Sequence, residues 1–367
     1  MPVQGTPGGF VGDPDVMDTW ATSSLTPEIA AGWLDDPDLW ARTYPMDLRP
    51  QGPEIIRTWL FSTVLRAHLE HGGLPWANTQ INGWILDPDR KKMSKSKDNV
   101  LTPMPLVEQF GADGLRYWAC RAAPGTDTSS DTTQMKVGRR LAVKVLNASK
   151  FVLGLGAQEP AVADITEALD RAMLAQLAAV VDEATESFEG YSYHRALERT
   201  EEFFWRFCDD YLELVKVRAY GGGAAGRSAQ AALSLALSTM LRLFAPFLPF
   251  VTEEVWSWWR GGVAGGKESV HRAPWPRASD LLDAVNGTDP AVLDVVGSAL
   301  AEVRKAKSEQ RRSQRSEVAS LHVNDLADRV AALRMAEQDL RDAGHIRNLV
   351  LGEAPERLIT VELAAAD

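Results

Sequence analysis

Lys91-Lys92-Met93-Ser94-Lys95-Ser96-Lys97-Asp98-Asn99 sets four lysines in seven positions and interleaves two serines that cannot build a core. Ammonium groups and hydroxyl donors at this density can surround a polyanion, and pyrophosphate suits them. Charge develops on the leaving phosphates during nucleotidyl transfer. A lysine poised there stabilises the transition state more than the ground state. The plain alternative is a solvated lysine loop. Just upstream, Asn82-Gly83-Trp84-Ile85-Leu86-Asp87-Pro88-Asp89 reads as a strand ending in an Asp-Pro turn.

The elements around the loop should place it beside a ligand. Residues 43–49 form a short extended run, broken by Pro50-Gln51-Gly52-Pro53. Residues 54–71 predict a helix, with Ile55, Ile56, Trp59, Leu60, Val64, Leu65 and Leu69 at helical spacing. Gly72-Gly73-Leu74-Pro75 ends it. A strand over 80–86 follows. That order is a βαβ unit, whose ligand site lies at the carboxyl ends of the strands. Gly52 to Glu54 and the lysine loop both sit at such ends.

From about 134 the pattern changes to long helices, expected over 136–155, 165–188, 191–220, 228–244 and 249–259. Glycine-rich breaks lie at 221–226 and 261–266. The tail predicts a helix over 291–309, a strand over 318–323, a helix over 324–341 and strands over 346–351 and 357–363. The expected fold is α/β followed by all-α: an α/β unit over 1–135, a helical bundle over 136–280 and a small α+β unit over 281–367. There is no internal repeat.

Hydrophobic residues at 45% and charged residues at 24% permit packed cores and exclude a disordered chain. A net charge of -11 argues against generalised nucleic-acid binding, but a local basic face can still dock phosphates. Cys120 and Cys208 are the two cysteines, too far apart for paired zinc ligands. Reduced thiols suit a cytoplasmic protein. The start of the chain lacks the regions of a signal peptide. The most apolar stretch, 231–251, is interrupted by Arg242, Pro246 and Pro249, so it reads as two buried helices and no membrane span.

Lys92-Met93-Ser94-Lys95-Ser96 matches the KMSKS signature of class I aminoacyl-tRNA synthetases. Asp15-Val16-Met17-Asp18-Thr19-Trp20 resembles the Asp-Val-Leu-Asp-Thr-Trp stretch of the valyl-tRNA synthetases, and Arg49-Pro50-Gln51-Gly52-Pro53-Glu54-Ile55-Ile56-Arg57-Thr58-Trp59 resembles their ribose-binding segment. Leu243-Phe244-Ala245-Pro246-Phe247-Leu248-Pro249-Phe250-Val251-Thr252-Glu253-Glu254-Val255-Trp256 is similar to their anticodon-binding bundle, as is the later turn over 271–276. The resemblance spans nearly the whole chain in the same order. It favours the valine enzymes over the isoleucine ones, which usually carry Trp-Phe-Asp-Ser-Gly where Thr19 to Ser23 stand here.

The resemblance implies a partial Rossmann-type catalytic domain that activates valine with ATP and charges valine tRNA. Lys92 and Lys95 would stabilise the pyrophosphate, aided by Met93, Ser94 and Ser96 of the same loop. Magnesium would arrive with ATP, held mainly by phosphates and water, with no metal bound by the protein itself. Gly52 and Glu54 would face the ribose; Glu54 is equally explained as a helix N-terminal acid. Pro53-Glu54 replaces the His-Asp usual in the family, and Asp98 replaces a glycine. Trp20 and Trp59 would border the valine pocket, although a tryptophan is more often core. Asp18 would hold that pocket or the substrate amine, or serve as a cap. Such a pocket cannot strongly reject threonine, which is why valyl enzymes edit.

Two basic stretches face the tRNA question. Lys136, Arg139, Arg140, Lys144 and Lys150 fall along one helical side, and Arg304, Lys305, Lys307, Arg311, Arg312 and Arg315 form a denser run. Either could also be a solvated face. The first set is the candidate tRNA contact. The family also needs a His-x-Gly-His motif, and none of His68, His71, His194, His271, His322 and His345 begins one. The expectation is therefore a C-terminal portion that lacks the histidine half and the editing domain. A separate chain supplying that half, or a non-catalytic tRNA-binding paralogue, are the other readings.

Overall fold

A computed structural model describes residues 5–9, 11, 14–15, 19–93, 102–156, 161–260, 269–285 and 287–365. Asp18, Ser94, Lys95, Ser96 and Asp98 lie outside the described residues, as does the glycine-rich stretch 261–266. The chain divides into two compact units, one of residues 1–101 with 122–130 and one of residues 102–121 with 131–367.

The first unit begins with three short helices that periodicity did not announce, α1 (Thr19–Ser23), α2 (Thr26–Ala30) and α3 (Pro37–Thr43). Asp36 caps α3 by accepting from the Leu39 N–H at 3.0 Å, with Pro37 at its first position. The βαβ unit is present. Strand β1 (Met46–Gln51) leads through a 3₁₀ turn (Pro53–Ile55) and a π turn (Ile56–Leu60) into α4 (Phe61–His71). Gly72 ends α4 in the left-handed region, at φ 70°. Strand β2 (Trp76–Ile81) then pairs with β1 in parallel, Met46 opposite Trp76 and Gln51 opposite Ile81.

The strand expected over 80–86 is two strands. After β2 the chain breaks at 82–84 and resumes as β3 (Ile85–Leu86), which runs parallel to β4 (Thr128–Ser129). The break has a steric cause. A Cβ at Gly83 would lie 2.1 Å from the Thr126 carbonyl oxygen, so glycine permits the close approach of the two backbones.

The second unit opens with α5 (Pro103–Phe110) and α6 (Ala112–Cys120), followed by α7 (Thr132–Gly154), α8 (Ala168–Glu189) and α9 (Tyr193–Arg206). A π turn (Phe207–Tyr211) joins α9 to α10 (Leu212–Tyr220). Then come α11 (Gly223–Phe244), α12 (Pro249–Arg260) and α13 (Ala278–Val285). The break expected at 221–226 is shorter, because α11 starts within it. The apolar stretch 231–251 is shared between α11 and α12, joined by a turn. Among the described residues no helix is long and apolar enough to cross a membrane. Asp131 caps α7, accepting from Thr133 at 2.8 Å and Gln134 at 3.3 Å. The Asp113 carboxylate does the same for α12, accepting from Phe250 and Val251.

The tail is α14 (Ala291–Glu309), β5 (Val318–Asp325), α15 (Ala327–Met335), α16 (Glu337–Gly344), β6 (Ile346–Glu353) and β7 (Leu358–Leu363). Strand β5 is central, parallel to β6 and antiparallel to β7. The helix expected over 324–341 is broken at Ala336 into α15 and α16.

One guanidinium ties tail to bundle. Arg218 on α10 donates to both oxygens of Asp170 on α8, to both of Asp339 on α16 and to the Ala225 carbonyl, using all five N–H groups. Tyr211 and Ser228 also donate to Asp170. Burial by itself would lower the Arg218 pKa, but the hydrogen bonds to Asp170 and Asp339 and the charge of Asp170 more than offset it and raise it. Removing one partner of such a buried pair costs about 3–5 kcal/mol, since the other charge is left uncompensated.

Candidate active site

The carboxyl end of β1 supplies the first group. Gly52 stands in extended backbone ahead of the 3₁₀ turn, with Pro53 at its first position and Glu54 in its first turn. A Cβ on Gly52 would lie 2.6 Å from Glu54 Oε2, so glycine leaves room for the carboxylate to fold back over the backbone. That oxygen accepts from the Trp84 indole N–H at 2.9 Å.

Trp84 is the residue that sequence reasoning passed over. Its backbone N–H donates to Asp127 Oδ1 at 2.8 Å, and its carbonyl accepts from the Thr128 N–H at 2.9 Å. The indole is therefore held by the β3–β4 pairing. Lys92 Nζ lies over the same ring, 4.0 Å from its centroid. Lys92 is carried there by a tight turn. Asp87 Oδ1 accepts from the Lys91 N–H at 2.8 Å, Arg90 takes a φ of 62°, and Lys92 bridges back to Leu86.

Gly52, Glu54 and Lys92 are thus brought together by one indole, whose N–H edge holds the carboxylate and whose ring seats the ammonium. The Trp84 hydrogen bond, then a backbone hydrogen bond and the Lys92 charge, hold the Glu54 carboxyl below its ordinary pKa against a small opposing desolvation. An ionised carboxylate can accept from hydroxyls, and an ammonium can pair with phosphate. Met93 follows Lys92 at the edge of the described loop.

The two tryptophans differ in burial. Trp59 is 4% exposed. It stacks on Trp76 at 5.6 Å, lies 4.1 Å from the Arg49 guanidinium, and donates its indole N–H to the Ser23 carbonyl at 2.8 Å. Trp20 is half-buried on α1, which packs against the π turn bearing Trp59. The two segments meet, then, with Trp59 as an inner wall. Ser23 Oγ and Arg49 Nε, on two residues that touch Trp59, are buried with no hydrogen-bond partner among the described residues, as are both side-chain polar atoms of Gln51. Gln51 ends β1, the position at which parallel strands present ligands. Its place before Gly52 was the signal available in the sequence.

In the helical unit, α7 carries Lys136, Arg139, Arg140, Lys144 and Lys150 without one acidic residue. Lys136, Arg139 and Arg140 are exposed, with Arg139 also donating to the Gln109 carbonyl at 2.7 Å. Lys144 is half-buried, 3.2 Å from Asp209 and over the Trp205 ring at 5.6 Å. The denser run is partly structural. Lys307 is buried, donating to the Gln314 and Gly344 carbonyls, and burial lowers its pKa. Arg304 pairs with Asp210. Among the described residues no group of three His, Cys, Asp or Glu side chains is placed to hold a metal ion.

Residues 3–131 match the family described as tRNA synthetases class I (I, L, M and V), and residues 170–323 match the anticodon-binding domain of tRNA ligase. The valine–tRNA ligase of Thermobifida fusca is 57% identical over 370 residues, covering 99% of this chain and 41% of the relative. That of Salinispora tropica is 57% identical over 367 residues, covering 95% and 42%. The chain therefore spans about two fifths of the length of these relatives. Two solved structures share the fold. A LeuRS from Agrobacterium radiobacter in a ternary complex with tRNA and LeuAMS aligns with a TM-score of 0.59 at 22% identity, over 74% of this chain and 34% of that one. Methionyl-tRNA synthetase of Mycobacterium tuberculosis in complex with methionyl-adenylate gives 0.52 at 22%, over 64% and 48%.

The indole clamp can be taken apart in two steps. Trp84→Phe keeps a ring under Lys92 but removes the N–H, so the Glu54 titration midpoint should rise in carboxyl-resolved NMR. Trp84→Leu should additionally abolish the ring-current shift of the Lys92 ε-methylene. An unchanged Glu54 midpoint in Trp84→Phe would show that the hydrogen bond does not hold the carboxylate ionised.

Proposed function

The chain belongs to the valine–tRNA ligase family of class I tRNA synthetases, and we propose that it carries one side of that family's adenylation site together with a tRNA-binding bundle. The observation that supports this is the convergence of Glu54, just past the carboxyl end of β1, with Trp84, which precedes β3, and Lys92, which bridges back to it. In this reading Gly52 and Glu54 receive the ATP ribose, Glu54 accepting from its hydroxyls. Lys92, Met93, Ser94, Lys95 and Ser96 surround the phosphates. As valine's carboxylate attacks the α-phosphorus, the bond to the bridging oxygen breaks and negative charge moves onto pyrophosphate. Lys92 and Lys95 stabilise that charge, a contribution of about 2.7–4 kcal/mol for a transition-state donor of this kind. Magnesium accompanies the phosphates. Trp20, Trp59 and Asp18 border valine, with Trp59 as the inner wall and the Gln51 carboxamide as an added polar contact.

Activity requires the remaining part of the catalytic domain, in the same chain or another, because this sequence holds no His-x-Gly-His motif. The test is valine-dependent ATP–pyrophosphate exchange. The 367-residue chain alone should show none above background, and addition of the complementary part of a relative should restore it. Robust exchange by the chain alone would contradict the proposal.

The tRNA face is α7. Five cations without an acid on one helix give a local positive field on a chain of net charge -11. Contacts to phosphate weaken with salt, by a log–log slope of roughly -0.7 to -0.9 for each. Arg139→Ala with Arg140→Ala should flatten the slope and weaken valine tRNA and unrelated tRNAs alike, since phosphate contacts position and base contacts specify. Identical slopes for wild type and the double variant would return these arginines to the solvent.

A further inference from the structure

Helices α7 and α12 share an outer surface. Both start against α6. The Asp113 carboxylate accepts from the Phe250 and Val251 N–H groups at the head of α12. Gly114 lies so close to the head of α7 that a Cβ there would meet the Met135 carbonyl oxygen at 2.9 Å. The far ends meet again, with Lys150 Nζ 5.8 Å from the centre of the Trp258 ring. The two helices therefore run side by side in the same direction. Residues 132–154, which make up α7, lie in neither of the two stretches matched to known families.

Each helix contributes a line of its own. On α7, Lys136, Arg140, Val143, Asn147 and Lys150 are all exposed, and their alternating spacing of four and three residues sets them along one side. From Lys136 to Lys150 the helix rises about 21 Å. On α12, Phe250, Glu254 and Trp258 stand at i, i+4 and i+8, again on one side. Phe250 is 64% exposed and Trp258 42%, large fractions for aromatic rings. Trp258 is nonetheless held in place. Its indole N–H donates to Glu254 Oε1 at 3.0 Å, and the Lys150 ammonium lies beside its ring. Glu254 is the acid of this line, and the indole N–H occupies one of its oxygens.

We propose that this surface binds an unpaired stretch of RNA, with phosphates on Lys136, Arg140 and Lys150 and bases stacked on Trp258 and Phe250. This rests on the reading of α7 as the tRNA face and deepens it, because it names the form of RNA that the face takes. Cations alone accept any phosphate backbone, paired or unpaired. Exposed rings add what a duplex cannot use. Its bases are already stacked on one another, whereas an unpaired base offers a free face. Trp258 beside Lys150 sets a stacking ring next to a phosphate partner, the combination that a single strand needs at each nucleotide. A ring already fixed by a hydrogen bond has little side-chain freedom left to lose on stacking. An acidic peptide would satisfy the cations and leave both rings without a role.

The experiment titrates the full 367-residue chain into a fluorescently labelled, unstructured RNA and follows anisotropy at low salt. The RNA is about eight nucleotides long, within the span of single-strand grooves. Competitors are a duplex of the same length and a glutamate-rich peptide of equal charge. The single strand should bind, and both competitors should displace it at least about tenfold less well than unlabelled single strand does. Trp258→Ala and Phe250→Ala should each weaken binding about fivefold or more and leave its salt dependence unchanged. Lys150→Ala should instead flatten the log–log slope by roughly 0.7. Both rings are exposed, and circular dichroism checks that each variant folds. Trp258→Phe, which keeps a ring, should retain most of the affinity that Trp258→Ala loses. No binding by the wild type, affinity indifferent to both alanine variants, or a duplex or peptide that competes as well as the single strand overturns the proposal. Valine tRNA separates the two readings. An oligonucleotide held through Trp258 that valine tRNA does not displace keeps this surface and sinks the tRNA reading of α7. Binding of valine tRNA that weakens with Arg139→Ala and Arg140→Ala, yet ignores Trp258→Ala and Phe250→Ala, does the reverse.

Discussion

Two parallel strands joined by one helix cannot bury themselves. Each strand of such a pair needs cover on both faces, and the connecting helix covers one. Most features of the first unit follow from this. Glu54 follows the carboxyl end of β1, and Lys92 runs back beside β3 to place its ammonium over Trp84. The strand β2 is exposed along its middle, and α4 turns leucines and a phenylalanine to solvent. The helical unit shows the contrast. Its tail and bundle share one core, and the Arg218 guanidinium spends every donor on locking α10 to α8 and α16.

Within the open unit the candidate site is nonetheless well ordered by local chemistry. Two glycines make it possible. Gly52 lets the Glu54 carboxylate lie against the backbone, and Gly83 lets the chain press against 126–127 so that Trp84 is fixed. The indole then serves two opposite charges at once, a carboxylate at its N–H and an ammonium over its ring. At an exposed position each contact is weak, about 0.5–1 kcal/mol for the cation over the ring. Contacts this weak leave the ammonium able to exchange its partner.

Much of this was legible in the sequence, because the signals were local. The βαβ order, the glycine end of α4 and helix α14 all follow from spacing and turn residues. Other features depend on contacts distant in sequence. Trp84 meets Glu54 across thirty residues, and nothing in the alternation of residues 82–89 marks its side chain as the meeting point. The split between β2 and β3 is caused by a backbone forty residues away. Helices α1, α2 and α3 are too short for a periodicity to show. Lys307 looked like part of a solvated basic run, yet two carbonyls at the end of α16 and near residue 314 draw it inside. The stacking of Trp59 on Trp76 and the Arg49 guanidinium over its ring likewise join residues that the sequence keeps apart.

The central claim is that Glu54, Trp84 and Lys92 border a single nucleotide site. The most direct measurement is an NMR titration of the assembled protein with ATP, following the Trp84 indole N–H, the Glu54 carboxyl and the Lys92 ε-methylene together. All three signals should move with one common dissociation constant, with Lys92 losing its ring-current shift as it leaves the indole for phosphate. Saturation with ATP while the three signals stay still, or move with unrelated constants, would contradict the account.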